Sequence, residues 1–502
     1  MPLILGTNSI KDPGGYNVAN SLRFNSGDSP SMSKASSDTG NAQFSIFSCW
    51  VKRGSLGSNQ TIFGHHIDAN NTTQFGFDSD DKLIFHVKEG GSDIVSLISN
   101  AVFRDTSAFY HLMLVQQQNA SAAADRIKIM ANGSRLTLAT STIPNELSSN
   151  HWVAGGDGTY SPRIGFNDGA DNNYFSGYLT EVVFLDGQTI PNSNDADYTA
   201  NANSTVEYDE DSGILKPKDP SGLTFGTNGF YFEFKQTGTS QNSSGLGADT
   251  SGNDSHFAVS NLAAVDQSTD TCTNNHMTWN PLYVSAGGTY TGTEGNLHVR
   301  GSDSHNTRVG ATFAAQKGKW YWEVKQLGSV TNGGSWAGAF EVDEVDINGS
   351  TAFFGNQTKA MGVRAGSSTV LPRGNGQGSG TTLGDIAVNG ILMFAMDIDN
   401  GFLYVGLNGT FLNSGDPSTG ASGTGNINNG AAGGVTYNWD FAGKLVMPGI
   451  NIQNADFFET NFGSPSFAIS SGNTDANGHG NFEYAVPSGY FTWNTKNLAE
   501  FG

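Results

Sequence analysis

Residues Gly384 to Phe411 read GDIAVNGILMFAMDIDNGFLYVGLNGTF and decide the fold class of this chain. Two apolar runs flank Asn400-Gly401, and the second run ends at Asn408-Gly409. Asn-Gly tolerates positive φ at both central positions of a tight turn, so each pair predicts a hairpin. Alternate apolar side chains in the first run share one face of a strand: Leu392, Phe394, Met396 and Ile398. The stretch therefore predicts antiparallel strands that pack one face on a core.

The composition extends this prediction to the whole chain of 502 residues. It includes 66 Gly and only 14% charged residues, which is typical of many short strands joined by turns. Cys49 and Cys272 are the two cysteines and lie far apart, so we expect no disulfide framework and no cysteine metal cluster. The length suffices for two or three domains with cores of their own. We predict an all-β protein: two antiparallel β-sandwiches of the jelly-roll type, joined by a turn-rich connector.

The charge balance excludes one class of partner. A formal net charge of −21 makes phosphate backbones poor partners, since nucleic-acid binding needs clustered Lys and Arg. No stretch approaches the ~20 apolar residues of a membrane helix. The start MPLILGTNSIKD has no basic region before its short apolar run. We therefore expect no nucleic-acid binding, no membrane insertion and no cleaved signal peptide.

The first region, residues 1–190, carries a series of strand patterns. FSIFSCWVKR, FGFDSDDKLIFHV, YHLMLVQ and RIKIMANGSRL follow one another, and IGFNDGADNNYFSGYLTEVVFLDGQ closes the region. In this order the motifs resemble a laminin-G-like domain of the concanavalin A jelly-roll type. The resemblance implies ligand binding by loops at the ends of a sandwich, sometimes through a calcium ion.

One acidic turn in this region offers calcium ligands, because Ca²⁺ prefers oxygen atoms. Its three carboxylates belong to Asp78, Asp80 and Asp81. A solvated acidic turn is the competing interpretation, since these residues lack a fixed ligand spacing. We predict no cofactor and no other metal site, with calcium at this turn as the alternative.

Residues 191–284 have few apolar runs and many turn formers, which predicts a connector with a few strands. The strand GTNGFY, the turn DTSGND and the motif NPL occur there in this order. They resemble the middle of a group of marine bacteriophage structural proteins, where such motifs join a laminin-G-like module to a second sandwich. The resemblance implies a place in the virion and other virion proteins as partners.

Residues 285–502 again show strands and turns. The motif YWEV is followed by the hairpin DIDNGFL, an Asn-Gly turn, PGINI and NFG. This order resembles a SPRY domain, and the residues after NFG look like the tail that follows it in phage proteins. We predict a SPRY-like β-sandwich with a C-terminal tail.

Sugar recognition needs aromatic faces for stacking and polar side chains for hydrogen bonds. Ligand-binding candidates at or beside loops of the third region are Trp336, Arg364, Tyr437 and Trp439, with Arg373 close to another loop. Aromatic candidates of the same kind in the first region are Trp152, Tyr160 and Tyr174. For the aromatic residues, a place in the core or at a sheet edge is the competing interpretation.

Motifs that would carry catalysis are missing from the sequence. Its ten histidines form no H-E-x-x-H pattern, and its serines form no G-x-S-x-G elbow between a strand and a helix. No carboxylate pair stands out as the acid and base of a glycosidase. We therefore predict no catalytic residues and no enzymatic activity.

These observations predict a bacteriophage virion structural protein. We expect a tail fibre or appendage adhesin that binds a host-surface glycan or protein through sandwich loops. Phage fibres of this kind imply a homo-oligomer, with a trimer favoured, and several copies multiply weak contacts. The alternative is a head decoration or tail adaptor protein that binds only other virion proteins. A glycan-degrading spike is a third class.

Overall fold

The computed structural model describes residues 4–5, 15–35, 40–41, 43–144, 162–167, 173–190, 197–210, 212–285, 289–301, 307–327, 335–344, 358–366, 369–452 and 457–502. They form two compact units. The first unit spans residues 13–273, and the second comprises residues 274–502 with a strand near the start of the chain. Among the described residues, no helix has the length and apolar character needed to cross a membrane.

The strands up to residue 273 are short to medium in length. In chain order they are β1 Ile4–Leu5, β2 Ser21–Phe24, β3 Ser31–Ser33, β4 Phe44–Arg53, β5 Gln60–Asp68, β6 Asn71–Phe77, β7 Lys82–Glu89, β8 Ser92–Val102, β9 Tyr110–Gln117, β10 Ile127–Ala131, β11 Ser134–Arg135, β12 Leu138–Thr142, β13 Pro162–Ile164, β14 Gly177–Asp186, β15 Val206–Tyr208, β16 Leu215–Pro217, β17 Phe230–Phe232, β18 Ala258–Ser260 and β19 Gln267–Ser268.

The remaining strands and the short α-helices complete the described structure. The strands are β20 Trp279–Val284, β21 Thr291–Thr293, β22 His298–Arg300, β23 Thr307–Ala311, β24 Phe313–Ala314, β25 Lys319–Leu327, β26 Trp336–Glu341, β27 Ala360–Gly366, β28 Thr369–Gly374, β29 Gly384–Asp385, β30 Ile391–Asp397, β31 Phe402–Leu407, β32 Thr410–Phe411, β33 Asn429–Ala432, β34 Val435–Asn438, β35 Val446–Ile452, β36 Phe457–Asn461 and β37 Phe491–Thr492. The helices are α1 Ala123–Arg126, α2 Asp197–Ala200 and α3 Thr495–Phe501.

The first unit is a sandwich of two eight-stranded sheets. One sheet has the order β11-β10-β9-β4-β14-β2-β19, with β17 also paired to β14. The other has the order β12-β8-β7-β6-β5-β13-β3-β18, and we call it the β5 sheet. Phenylalanine rings from the two sheets meet in the core, where those of Phe47 and Phe63 stack with centroids 4.2 Å apart. Half-buried and buried residues alternate along the middle of β8, so the β5 sheet has a core face and an outward face.

The segment predicted as a connector, residues 191–284, supplies strands to both units. Its strand β17 pairs with β14, β18 with β3 and β19 with β2, so all three belong to the first sandwich. Phe230, Phe232 and Phe257 lie in that sandwich's core. The last strand of the segment, β20, pairs with β23 in the second unit. Strands of two or three residues show too little periodicity to be recognised between turns, which is why the sequence predicted a connector.

The second unit is also a sandwich. A seven-stranded sheet, β20-β23-β35-β26-β27-β28-β29, faces an eight-stranded sheet, β21-β22-β36-β25-β30-β31-β32, with β37 paired to β25. Trp322 and Phe394 stack in its core at 5.0 Å between ring centroids. All but two of the strand pairings described in the chain are antiparallel; β1–β24 and β25–β37 are parallel. The predicted all-β class with two antiparallel sandwiches is thus confirmed.

The residues after Asn461 fold onto the second sandwich. Trp493 stacks on Trp320 with ring centroids 4.3 Å apart. The buried carboxylate of Glu323 in β25 accepts hydrogen bonds from the backbone N–H groups of Glu483 and Tyr484, at 3.1 and 2.8 Å. The predicted C-terminal tail therefore packs against the sheet rather than extending from it.

Candidate functional site

The structure brings together three of the residues singled out in the third region. Trp336 in β26 and Arg364 in β27 are register partners, and the guanidinium of Arg373 in β28 lies 5.7 Å from the Trp336 ring centroid. Ala337 and Ala339, which alternate with Trp336, belong to the sandwich core. Trp336 therefore points away from that core, on the outward face of the seven-stranded sheet, where it is buried in a smaller apolar cluster with Tyr283, Phe340 and Met447.

Tyr437 and Trp439 lie elsewhere, in the core of the second sandwich. The Tyr437 hydroxyl donates to the backbone oxygen of Pro372 at 2.9 Å, and the Trp439 indole N–H donates to Glu341 at 3.1 Å. Both side chains are buried, so for these two the core interpretation fits the structure. The structure does not place either of them beside Trp336.

In the predicted calcium turn, two of the three carboxylates, those of Asp78 and Asp81, accept hydrogen bonds from protein donors. Asp78 accepts the backbone N–H groups of Asp80 and Lys82, at 2.9 and 2.8 Å. Asp81 accepts from the guanidinium groups of Arg53 and Arg104, both at 2.9 Å. Among the described residues, no group of three or more His, Cys, Asp or Glu side chains converges as a metal site. Calcium at Asp78, Asp80 and Asp81 stays an untested prediction.

Two of the aromatic candidates in the first region, Trp152 and Tyr160, lie outside the described residues. Tyr174 is half-buried and stacks on Phe166, with ring centroids 5.3 Å apart and an interplanar angle of 8°. The guanidinium of Arg163 lies 4.8 Å from the Phe166 ring centroid. Next to this aromatic pair, through Arg163, lies a polar surface of the first unit.

That surface is a row of side chains across the outward face of the β5 sheet, which we call the polar row. Each strand contributes one residue in direct register with its neighbours. In the order of the sheet they are Thr142, Ser96, His86, Gln74, Gly64, Arg163, Ser33 and Ala258. The alternating residues Phe63, Phe75 and Phe85 point into the core. Strand spacing of ~4.8 Å makes the row roughly 34 Å long.

The centre of the polar row offers two nitrogen atoms without a hydrogen-bond partner in the described part of the chain. Gln74 and His86 are half-buried neighbours, and among the described residues neither Nε2 atom has a hydrogen-bond partner. Burial lowers the pKa of His86 below its usual value. The imidazole is therefore neutral near pH 7 and has one donor and one acceptor nitrogen.

Gly64 separates Arg163 from Gln74 in the row. A Cβ atom at this position would lie 2.3 Å from the backbone oxygen of Thr73, so the site excludes any side chain. The row thus has a gap one strand wide between its guanidinium and its carboxamide. Planar hydrogen-bonding groups on both sides of such a gap, with an aromatic pair at one end, fit a sugar ring better than a flat protein surface.

A second polar cluster consists of Ser48, His111 and Thr205. It has the residue types of a catalytic site but neither the exposure nor the hydrogen-bond partners of one. Ser48 Oγ lies 2.8 Å from His111 Nε2 and 2.6 Å from Thr205 Oγ1. All three side chains are buried, and burial lowers the pKa of His111 to about 3. No carboxylate among the described hydrogen bonds orients the imidazole, as a Ser-His-Asp site requires. The hydrogen bonds of this cluster hold the segment around Thr205 against β4 and β9.

The sequence did not predict the polar row. Gln74, His86 and Ser96 look like the ordinary wet face of alternating strands. Arg163 lies far along the chain from these residues and comes next to them only through the register of β13 with β5. Tyr174 was the one member of this surface with a signal in the sequence, as an aromatic residue beside a polar loop.

Comparison with protein families agrees with the fold of the first unit. Residues 25–189 match a family model described as Laminin_G_3, Concanavalin A-like lectin/glucanases superfamily. These residues thus carry the concanavalin A-like sandwich that the laminin-G resemblance implied. No curated protein matches the chain in sequence.

Solved structures give weaker matches. The SPRY domain of human HERC1 shares 13% identity and a TM-score of 0.26, over 36% of this chain and 96% of that chain. A heptameric SAP-like pentraxin from Limulus polyphemus shares 16% identity and a TM-score of 0.26, over 42% of this chain and 96% of that chain. A putative carbohydrate binding protein from Bacteroides ovatus shares 13% identity and a TM-score of 0.31, over 49% of this chain and 58% of that chain. With values this low, no role is transferred from these proteins.

Proposed function

We propose that this protein is an adhesin that binds a cell-surface saccharide through the polar row of its first unit. The observation that carries the proposal lies on the outward face of a concanavalin A-like sandwich. There, at the centre of the row, the Nε2 atoms of Gln74 and His86 have no hydrogen-bond partner among the residues that the structure describes. Buried polar atoms normally find partners, so such atoms on a half-exposed face call for a ligand or ordered water.

The chemistry of the row matches sugar hydroxyl groups. Gln74 supplies a donor and an acceptor, neutral His86 supplies one of each, and Arg163 supplies donors only. Phe166 and Tyr174 add apolar faces on which the C–H surface of a sugar can stack. An extended row favours an oligosaccharide over a single sugar, because several weak contacts add along one chain.

The biological setting we propose is a bacteriophage virion, with the protein in a tail fibre or similar appendage that attaches to the host. Support comes from the order of motifs in residues 191–284, which resembles marine phage structural proteins. Partners would then be other virion proteins and a host-surface glycan or protein. Trimeric assembly would multiply weak contacts, because avidity exceeds single-site affinity when several copies reach their targets together.

The proposed action is binding without turnover. Support comes from the composition of the polar row, which contains no carboxylate, whereas glycosidases of most kinds need two. The Ser48–His111–Thr205 cluster is buried and engaged in internal hydrogen bonds.

An immobilised array of neutral and acidic bacterial oligosaccharides tests this proposal. We expect the full chain to bind a subset of the array, and the double variant Gln74→Ala/His86→Ala to lose at least about tenfold in affinity, the equivalent of one or two hydrogen bonds. The matched control is Gln236→Ala, since Gln236 is an exposed glutamine of the same unit. Equal binding by the double variant and the wild type would contradict the proposal. Absence of binding to any saccharide, together with incorporation into virions, would favour the decoration or adaptor role.

A further inference from the structure

A second row of polar side chains crosses the outward face of the seven-stranded sheet in the second unit. Arg308 in β23 pairs with Asn451 in β35, Asn451 pairs with Trp336 in β26, and Trp336 pairs with Arg364 in β27. We call these four residues the indole–guanidinium row. Direct cross-strand partners have Cβ atoms about 5 Å apart, so neighbouring side chains of the row are within reach of one small group.

Three members of this row have unused hydrogen-bonding groups. Trp336 is 2% exposed and Asn451 is 0% exposed. Among the described residues, Trp336 Nε1, both polar atoms of the Asn451 carboxamide and Arg364 Nε have no hydrogen-bond partner. Leaving one buried polar group unpaired costs ~1–3 kcal/mol. Three adjacent unpaired polar groups on one face therefore destabilise a protein, and they point to a bound group that forms the missing hydrogen bonds.

The donor and acceptor atoms of Trp336, Asn451 and Arg364 define which ligand would form the missing hydrogen bonds. A guanidinium binds a carboxylate or a sulfate through parallel N–H···O bonds. The indole of Trp336 only donates, whereas the carboxamide of Asn451 both donates and accepts. A bare inorganic anion would leave the Asn451 oxygen without a donor. A molecule that carries a hydroxyl beside its acid group satisfies all three residues.

The charge distribution favours an acidic ligand at this position. The chain has 25 Lys and Arg against 46 Asp and Glu, yet this face collects Arg308, Arg364 and Arg373. Arg364 and Arg373 are half-buried, whereas Trp336 and Asn451 are almost inaccessible, so a ligand would enter the row from the arginine end. The row borders four glycines that are also in mutual register, Gly310, Gly449, Gly338 and Gly362. The side chains of Phe340, Tyr283 and Met447 lie over two of them, Gly449 and Gly310.

We propose that the indole–guanidinium row binds an acidic saccharide unit. Its carboxylate or sulfate ester pairs with Arg364, and a neighbouring hydroxyl bonds to Asn451 and Trp336. This site goes beyond the proposed function: it lies in the other unit, differs in chemistry from the polar row, and does not depend on it.

Saturation-transfer NMR on the full chain tests the proposal with three probes: methyl β-D-glucuronide, glucose 6-sulfate and the neutral methyl β-D-glucoside. We expect binding of at least one acidic probe and at least about tenfold weaker binding of the neutral one, as for the loss of a charge-assisted pair. Comparing the carboxylate with the sulfate identifies the acid group. The row holds only ordered water, and the proposal is wrong, if no acidic probe binds or if the neutral probe binds equally.

Variants locate the binding. Arg364→Ala should weaken binding of the acidic probe at least about tenfold. Arg364→Lys should weaken it less, since lysine keeps the positive charge but lacks the two parallel N–H donors of the guanidinium. Trp336→Phe removes the N–H and keeps a ring, so it should weaken binding while the thermal midpoint shows that the fold persists. Arg300→Ala, at an exposed arginine of the same unit, is the matched control. The Gln74→Ala/His86→Ala variant should bind the acidic probe normally. Unchanged binding in Arg364→Ala, or lost binding in that double variant, would overturn the assignment.

Discussion

Gln74 in β6 and His86 in β7 are direct register partners on the outward face of the β5 sheet, and the Nε2 atom of each lacks a hydrogen-bond partner among the described residues. These side chains therefore add little to the stability of the sandwich. Their neighbours on the other face, Phe75 and Phe85, form its core. The fold thus depends on the two phenylalanines, whereas a ligand would bind the two polar side chains.

The first prediction concerns the stability of the double variant Gln74→Ala/His86→Ala. We expect its free energy of unfolding to stay within about 1 kcal/mol of the wild type, because the described part of the chain accepts or donates no hydrogen bond at either Nε2 atom. Urea unfolding of both proteins measures this quantity. A loss of several kcal/mol would show that the two residues serve the fold, and their proposed role in binding would lose its basis.

The second prediction concerns the gap in the polar row. Gly64→Ala should destabilise the first unit by more than about 2 kcal/mol, because the new Cβ would lie 2.3 Å from the Thr73 backbone oxygen. Thermal unfolding gives the comparison. Gly222→Ala is the matched control, since nothing lies within 4 Å of its Cβ position, and we expect it to be neutral. Equal midpoints for the two variants would contradict the close packing at Gly64.

The third prediction concerns the extent of the first unit. Lys52 and Asp270 form a buried ion pair at 2.8 Å, with both side chains 1% exposed. A fragment of residues 13–273 should fold cooperatively, whereas residues 13–190 should not, since Lys52 loses its partner and β14 loses β17. Within the full chain, Asp270→Asn should cost about 3–5 kcal/mol. Circular dichroism of the fragments and urea unfolding of the variant provide the measurements. Cooperative folding of 13–190 would support the predicted boundary at residue 190 and contradict this expectation.

The fourth prediction concerns pH. Burial raises the pKa of Glu181 to about 7, while the Tyr231 hydroxyl donates to its carboxylate at 2.6 Å. In the folded state Glu181 therefore binds a proton more tightly than in the unfolded state, where its pKa is about 4.3. Stability from this group is fully present below pH ~4 and is lost as pH rises through 7, by at most about 4 kcal/mol.

Glu181→Gln removes this contribution. The variant should lose less stability than the wild type between pH 4.5 and 7.5, and chemical unfolding at several pH values measures the difference. Parallel stability curves for the two proteins would show that Glu181 is ionised throughout this range. Glu181 also has a φ of 50°, which glutamine tolerates as well as glutamate does, so the backbone is unaffected.

The fifth prediction separates Trp439 from the binding sites. Trp439→Phe removes the N–H that donates to Glu341 at 3.1 Å, in a buried position. We expect a loss of about 1–3 kcal/mol in stability. Binding of saccharides to either row should not change. Weaker binding at unchanged stability would return Trp439 to the list of ligand-contacting residues.

The hairpin of residues 384–411 shows how much of the fold can be predicted from sequence patterns. Leu392, Phe394, Met396 and Ile398 all lie in the core, as the alternation predicted. Asn408 and Gly409 both have positive φ, at 47° and 89°, as a two-residue hairpin turn requires. At Asn400-Gly401 only the glycine has positive φ, because β30 ends at Asp397 and the turn is longer than predicted.

The candidate sites were less accessible to sequence reasoning. Trp336 and Arg364 were singled out because they lie beside loops, and the structure shows them as register partners within strands. Asn451 gave no signal, since a polar residue in an apolar strand looks like any outward position. The register between strands that are distant in sequence creates both rows. Composition and periodicity contain no information on that register.

A crystal structure of the protein with an oligosaccharide selected on the array tests the central claim most directly. The account predicts a sugar ring on the outward face of the β5 sheet, over Gly64, with hydroxyl groups within hydrogen-bond distance of Gln74 and His86. A sugar found only on loops at the ends of the sandwich, with the polar row covered by water alone, would contradict it.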